Sequence, residues 1–197
     1  LTLLLLITII FLKKNKFVFS SIFFGLALIV KPQAVSVIPL VALFLIKHFR
    51  LSTFLKLFIP GFLTIFLLSY PFFPDQTLMQ LVVRILKTTG EYPYNSVNAY
   101  NLWGILGFWI NDSQLWNNLS YQAWGYILLA VYWIILGYFY LKRILSLYAT
   151  ATLATLGFFF LPTRVHERYL YPALVFLILT IIQLKSKLLL VLTVMLS

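Results

Sequence analysis

The sequence predicts an all-α fold, a polytopic transmembrane helical bundle, and three observations predict it. The chain is 62% hydrophobic and only 10% charged over 197 residues, with a mean hydropathy of +1.00, far from soluble globular chains. Apolar runs of membrane-spanning length follow one another from end to end. Lys and Arg come in short clusters between those runs, as they do in the cytoplasmic loops of membrane proteins. The formal charge of +11 therefore does not point to nucleic acid, because no extended basic face exists to track a phosphate backbone. The absence of cysteine excludes disulfides, thiolate metal sites and a cysteine nucleophile. With His48 and His166 far apart and only four acids, a protein-built zinc site is not expected.

Residues 1–12 form the first apolar run, ended by Lys13, Lys14 and Lys16. The next run, 17–46, is too long for one perpendicular span at about 1.5 Å per residue, and Lys31-Pro32-Gln33 interrupts it. Proline lacks the amide donor and disfavours helix in the residue before it. Two helices are expected, 17–30 and 33–46, meeting at Lys31. A second basic cluster, Lys47, His48, Arg50 and Lys56, precedes a crossing over 57–70, with Pro60-Gly61 loosening its start. Hydropathy then falls. Residues 76–87 are amphipathic, 88–101 have loop composition, and 102–110 are too short to span. Trp103, Trp109, Trp116 and Trp124 suit the headgroup belt, so residues 71–120 are expected to lie on or partly in the outer interface. Residues 121–141 span, 145–161 return, 173–184 cross again to Lys185 and Lys187, and 188–196 begin another crossing. Both ends fall within apolar runs, and the first does not read as a signal peptide. The sequence is therefore read as one transmembrane domain, 1–197, cut from the C-terminal part of a longer polytopic protein.

Orientation follows from charge. With the Lys-rich junctions at 13–16, 47–56, 142–143 and 185–187 inside, ten of the fifteen Lys and Arg are cytoplasmic. Lys31, Arg84, Lys87, Arg164, Arg168 and all four acids then lie outside, provided 17–46 is a helix pair. The stretch LPTRVHERYLYP, 161–172, is the centre of interest, because Arg164, His166, Glu167 and Arg168 sit between two membrane-like segments. An Arg at a helix centre costs about 3 kcal/mol, so the cluster belongs at a membrane face or in a wet cavity. If the stretch is helical, Arg164 and Arg168 share a face and Glu167 orients an arginine. Two guanidiniums with Lys31 on the same outer side suit a lipid-borne phosphate. The plainer reading is a loop whose charges mark two helix ends. Lys31 is equally a snorkelling lysine at a helix break, and Asn98, Asn101 and Trp103 suit the interfacial belt.

Three segments carry a family resemblance. KPQA at 31–34 resembles a segment common in polytopic membrane glycosyltransferases of the GT-C class. NAYNLWGILG at 98–107 is similar to an outer-loop segment of bacterial GT-C proteins and to the dolichyl-phosphate-glucose glucosyltransferases. TRVHERYLYPAL at 163–174 resembles the His-Glu-Arg/Lys segment near the C-terminal end of the same proteins. The resemblance implies an incomplete GT-C-like bundle in a bacterial plasma membrane. It implies an enzyme moving a sugar from a polyprenyl-phosphate donor to a glycan, lipid or protein acceptor on the outer face. It places Lys31, Arg164, His166, Glu167 and Arg168 around the donor phosphate, with Asn98, Asn101 and Trp103 as further outer-loop candidates. The class uses a catalytic base in an early outer loop, expected upstream of Leu1, so no residue here takes that role. No cofactor is expected, though a divalent ion held through phosphate and water stays open. A polymerase, ligase or flippase of lipid-linked glycans is the alternative, and a secondary transporter a more distant one, since no matched broken-helix repeat is found.

Overall fold

The computed structural model describes residues 1–74 and 77–184. It is mostly helical, 74%, with eight α-helices and one short hairpin among the described residues. Asp75, Lys185, Lys187 and the run 188–196 lie outside the described residues. The chain divides into two compact units, Leu1–Glu91 and Tyr92–Ser197.

In the first unit α1 (Thr2–Lys13) and α2 (Phe17–Val30) form a helical hairpin. Asn15 turns the chain in the left-handed region, φ 57°, which Asn tolerates better than most residues. The Lys16 amide then reaches Phe11 O at 2.9 Å. The Ser20 hydroxyl donates to Thr8 O at 2.9 Å, stitching the two helices below a core of Leu5, Ile9 and Leu12. Lys31 breaks the helix as Pro32 requires, with extended backbone at φ −157°. The following residues do not restart an α-helix at once. Pro32–Val37 is a 3₁₀ turn, and α3 runs only from Ile38 to Lys47.

The next helix departs from expectation. α4 (Leu51–Ser69) begins within the basic cluster and carries Pro60 in its interior, not loosely at its start. A neighbour makes the proline tolerable. The Ser21 hydroxyl of α2 donates to Leu57 O at 2.6 Å and accepts from Gly61 N at 2.7 Å, so backbone groups beside the proline are satisfied across the helix contact. The helices approach that closely because Gly25 and Gly61 face each other there. α5 (Thr77–Gly90) closes the unit.

The second unit opens with an irregular stretch and a hairpin, β1 (Leu115–Trp116) paired antiparallel with β2 (Leu119–Ser120). Asn117 and Asn118 both take positive φ, 50° and 66°, as a two-residue hairpin loop demands. Ser120 caps α6 (Tyr121–Leu141) by accepting from Ala123 N, and Ser146 caps α7 (Leu147–Phe160) by accepting from Ala149 N. A 3₁₀ turn, Glu167–Leu170, leads into α8 (Tyr171–Leu184). Tyr132 of α6 donates to Leu153 O of α7 at 2.9 Å, and Thr152 of α7 bonds Thr180 of α8 at 3.0 Å. Such polar links are the usual fastening between helices in an apolar solvent.

Three segments, Leu51–Phe72, Tyr121–Leu141 and Glu167–Leu184, are long and apolar enough to cross a membrane. Their outer faces are apolar too: Phe58 and Leu67 on α4 and Ile134 on α6 are mostly exposed, which a water-soluble surface does not sustain over so wide an area. The chain is read on this basis as a membrane protein. α2 and α7, at 14 residues each, reach about 21 Å and fall short of a full crossing.

Candidate functional site

The stretch between α7 and α8 is not the helix that would put Arg164 and Arg168 on one face. Arg164 sits at φ 63°, His166 is extended, and the 3₁₀ turn begins only at Glu167. A left-handed residue reverses the chain locally, which is incompatible with a helix from 164 to 168. Glu167 does not hold Arg164 either. That partner is Asp112, which donates no proton but accepts from Arg164 Nε at 2.7 Å and from Nη2 at 3.2 Å. Thr163 Oγ1 donates to the same carboxylate at 2.8 Å.

Asp112 is fully buried because its backbone is enclosed on both sides. Its amide donates to Pro93 O and its carbonyl accepts from Gln122 N in the first turn of α6. Burial of a carboxylate is tolerable only with strong partners, and the bidentate guanidinium is the strongest available. The hydrogen bond to Asp112 raises the Arg164 pKa further above its ordinary value, against the opposing effect of burial. Arg164 therefore stays charged across any ordinary pH.

Further bonds lay the 94–112 stretch against this turn. Arg164 N donates to Tyr94 O, and Val97 N donates to Val165 O, both at 2.9 Å. Trp103 Nε1 donates to Leu161 O at 2.6 Å and Asn101 Nδ2 to Pro162 O at 3.4 Å. Asn101 Oδ1 also accepts from Gly104 N, capping the 3₁₀ turn Leu102–Ile105. Both side chains are buried, and both brace the turn. Asn98 lies exposed at φ 58°, where its Oδ1 accepts from Trp109 Nε1 at 3.0 Å.

His166 is half-buried. Its ring meets Tyr92 edge-on at 5.1 Å and lies 5.6 Å from the Tyr169 ring. Glu167 and Arg168 are exposed, and neither is ion-paired among the described residues. An open apolar groove of about 560 Å³ runs beside the turn, lined by Tyr100, Leu102, Ile105, Phe108, Phe160 and Leu161. Lys31 belongs to the first unit, exposed at the end of α2. The other seven sequence-derived candidates share the second unit.

Sequence reasoning counted Asp112 only as one of four scattered acids. Its partner lies 52 residues away, and no local pattern announces such a pair. No known family, curated protein or solved structure matches the chain.

Proposed function

We propose that this chain is part of a membrane glycosyltransferase that uses a polyprenyl-phosphate-linked sugar on the outer face of a bacterial plasma membrane. The observation that carries the reading is the braced turn: His166 and Arg168 follow a segment fixed by the Asp112–Arg164 pair, and Leu161 at the start of that segment lines an apolar groove. A phosphate with an apolar tail is the ligand chemistry that suits a cation, an imidazole and a greasy groove together. Lys31 and Glu167 enter through the sequence resemblance.

In such a transfer the bond between sugar C1 and phosphate oxygen breaks, and the acceptor hydroxyl forms the new bond to C1. Negative charge on the departing phosphate grows along the way. Arg168 beside that phosphate stabilises the transition state more than the ground state. His166 hydrogen-bonds a phosphate oxygen or gives it a proton. Arg164 is a positioning residue, since the Asp112 carboxylate offsets its charge. No residue of this chain is assigned the base that takes the acceptor's proton.

Arg168→Ala and His166→Phe are the direct test, because the Arg168 side chain is exposed and phenylalanine keeps the ring contacts of His166 with Tyr92 and Tyr169. In the enzyme as it exists in membranes, transfer of labelled sugar from the polyprenyl-phosphate donor drops about 10²-fold or more in each. Unchanged transfer by both variants removes the turn from the site. Loss of lipid-linked glycan export or polymerisation with donor transfer intact would favour the polymerase, ligase or flippase reading.

A further inference from the structure

α5 is amphipathic in a way the fold leaves unused. At 3.6 residues per turn, Leu78, Met79, Val82, Ile85 and Leu86 gather on one side with Leu81 and Val83 at its edges, while Gln80, Arg84, Lys87 and Thr88 take the other. Met79 is 63% exposed, Val82 52% and Val83 46%. Two observations say what covers this face. The apolar segment Leu51–Phe72 ends just before α5, and the chain from Phe72 to Thr77 spans at most about 18 Å, so α5 begins near the level where that segment leaves the membrane. The helix also carries two cations and no acid, a charge complement to anionic headgroups.

We infer that α5 lies in the plane of the membrane interface, its Leu78–Val82–Ile85 face at the headgroup–acyl boundary and Arg84 and Lys87 against anionic lipid phosphates. A basic polar face on an apolar helix is the composition that binds this way. The placement is independent of sugar transfer and rests on α4 crossing the bilayer.

The chain has no cysteine, so single cysteines introduced for labelling report cleanly. Met79→Cys, Val82→Cys, Gln80→Cys and Thr88→Cys, each in the full chain, are labelled with an environment-sensitive fluorophore. They are then reconstituted in vesicles of phosphatidylcholine with phosphatidylglycerol, or of phosphatidylcholine alone. Labels at 79 and 82 are quenched several-fold more by a spin label on the lipid acyl chain than those at 80 and 88, which iodide reaches from water instead. Adding Arg84→Gln and Lys87→Gln to Val82→Cys weakens the acyl-chain quenching in the anionic vesicles and leaves it unchanged in phosphatidylcholine. Protection of position 82 from both quenchers means that protein covers the face, and overturns the placement. Free iodide access at all four positions overturns it as well. An equal effect of the charge variants in both vesicles overturns the role of anionic lipid.

Discussion

Around Gly61, α2 and α4 meet with almost nothing between their backbones, whereas around Arg164 two irregular stretches meet through side chains that reach across. At the first contact a Cβ on Gly25 would stand 2.7 Å from Gly61 O, and one on Gly61 2.7 Å from Ser21 Oγ. At the second, side-chain bonds of Asp112, Arg164, Thr163, Asn101 and Trp103 join the backbone bonds from Arg164 N to Tyr94 O and from Val97 N to Val165 O. The difference follows from the backbone. Helices satisfy most of their own amides, with Gly61 N beside Pro60 the exception that Ser21 serves, so two of them gain most by approaching closely over small residues. Irregular chain leaves amides and carbonyls open, so it gains by bonding outward. The first contact fixes a packing distance, and the second fixes the shape of a turn.

The largest effect expected from this contrast is at the ion pair. Arg164→Ala leaves the Asp112 carboxylate buried without its partner, a loss of about 3–5 kcal/mol. Amide hydrogen exchange over 92–112 and 161–166 should accelerate accordingly. Replacing both members, Asp112→Leu with Arg164→Met, should recover much of the loss, because a buried pair is replaceable by apolar side chains where one lone charge is not. Equal losses in the single and double variants would mean that the pair is not the fastening. Since hydrogen bonding raises the Arg164 pKa, its contribution is present below the unfolded value and is lost only as pH rises through the higher folded one. Protection of the turn should therefore persist from neutral into mildly alkaline solution. It also follows that Arg164→Ala is a poor probe of chemistry, since it disturbs the turn that holds His166 and Arg168.

How much of this the sequence announces depends on how local the cause is. Phe17–Val30 and Tyr121–Leu141 appear as helices with the bounds that apolar runs and flanking lysines dictate. The break at Lys31 appears too, because the residue before proline is restricted by its immediate neighbour. Pro60 misleads for the complementary reason. Its tolerance inside α4 depends on Ser21, 40 residues upstream of Gly61. The site divides in the same way: the stretch 161–172 stands out for its charges, but its conformation is set by Asp112, Tyr94 and Val97. The assignment of five cations and all four acids to one side is the one sequence signal that bears on Asp112. It does not choose among the cations.

A smaller effect is expected at the helix contact. Gly61→Ala places a methyl against Ser21 Oγ and Ser21 O, at 2.7 and 2.9 Å, and backbone cannot step aside. The helices must part, at about 1–3 kcal/mol, which unfolding in detergent and faster exchange in α4 should register. Ser21→Ala at the same contact creates no clash and removes the hydroxyl that serves Leu57 O and Gly61 N. If Gly61→Ala proves as mild as a change at an exposed residue, close approach is not what holds α2 to α4.

The smallest effect separates bracing from ligand binding in the stretch 94–112. Trp103→Phe keeps an aromatic ring in a buried position and deletes the Nε1 donor to Leu161 O, for about 0.5–1.5 kcal/mol. Because the indole nitrogen is spent on the backbone of the turn, the variant should loosen exchange at 161–163 while changing KM for the proposed polyprenyl-phosphate donor little. A large rise in KM with exchange unchanged would move Trp103 from the frame of the site to its lining. It would also mean that side chains crossing between the two stretches bind ligand as well as shape.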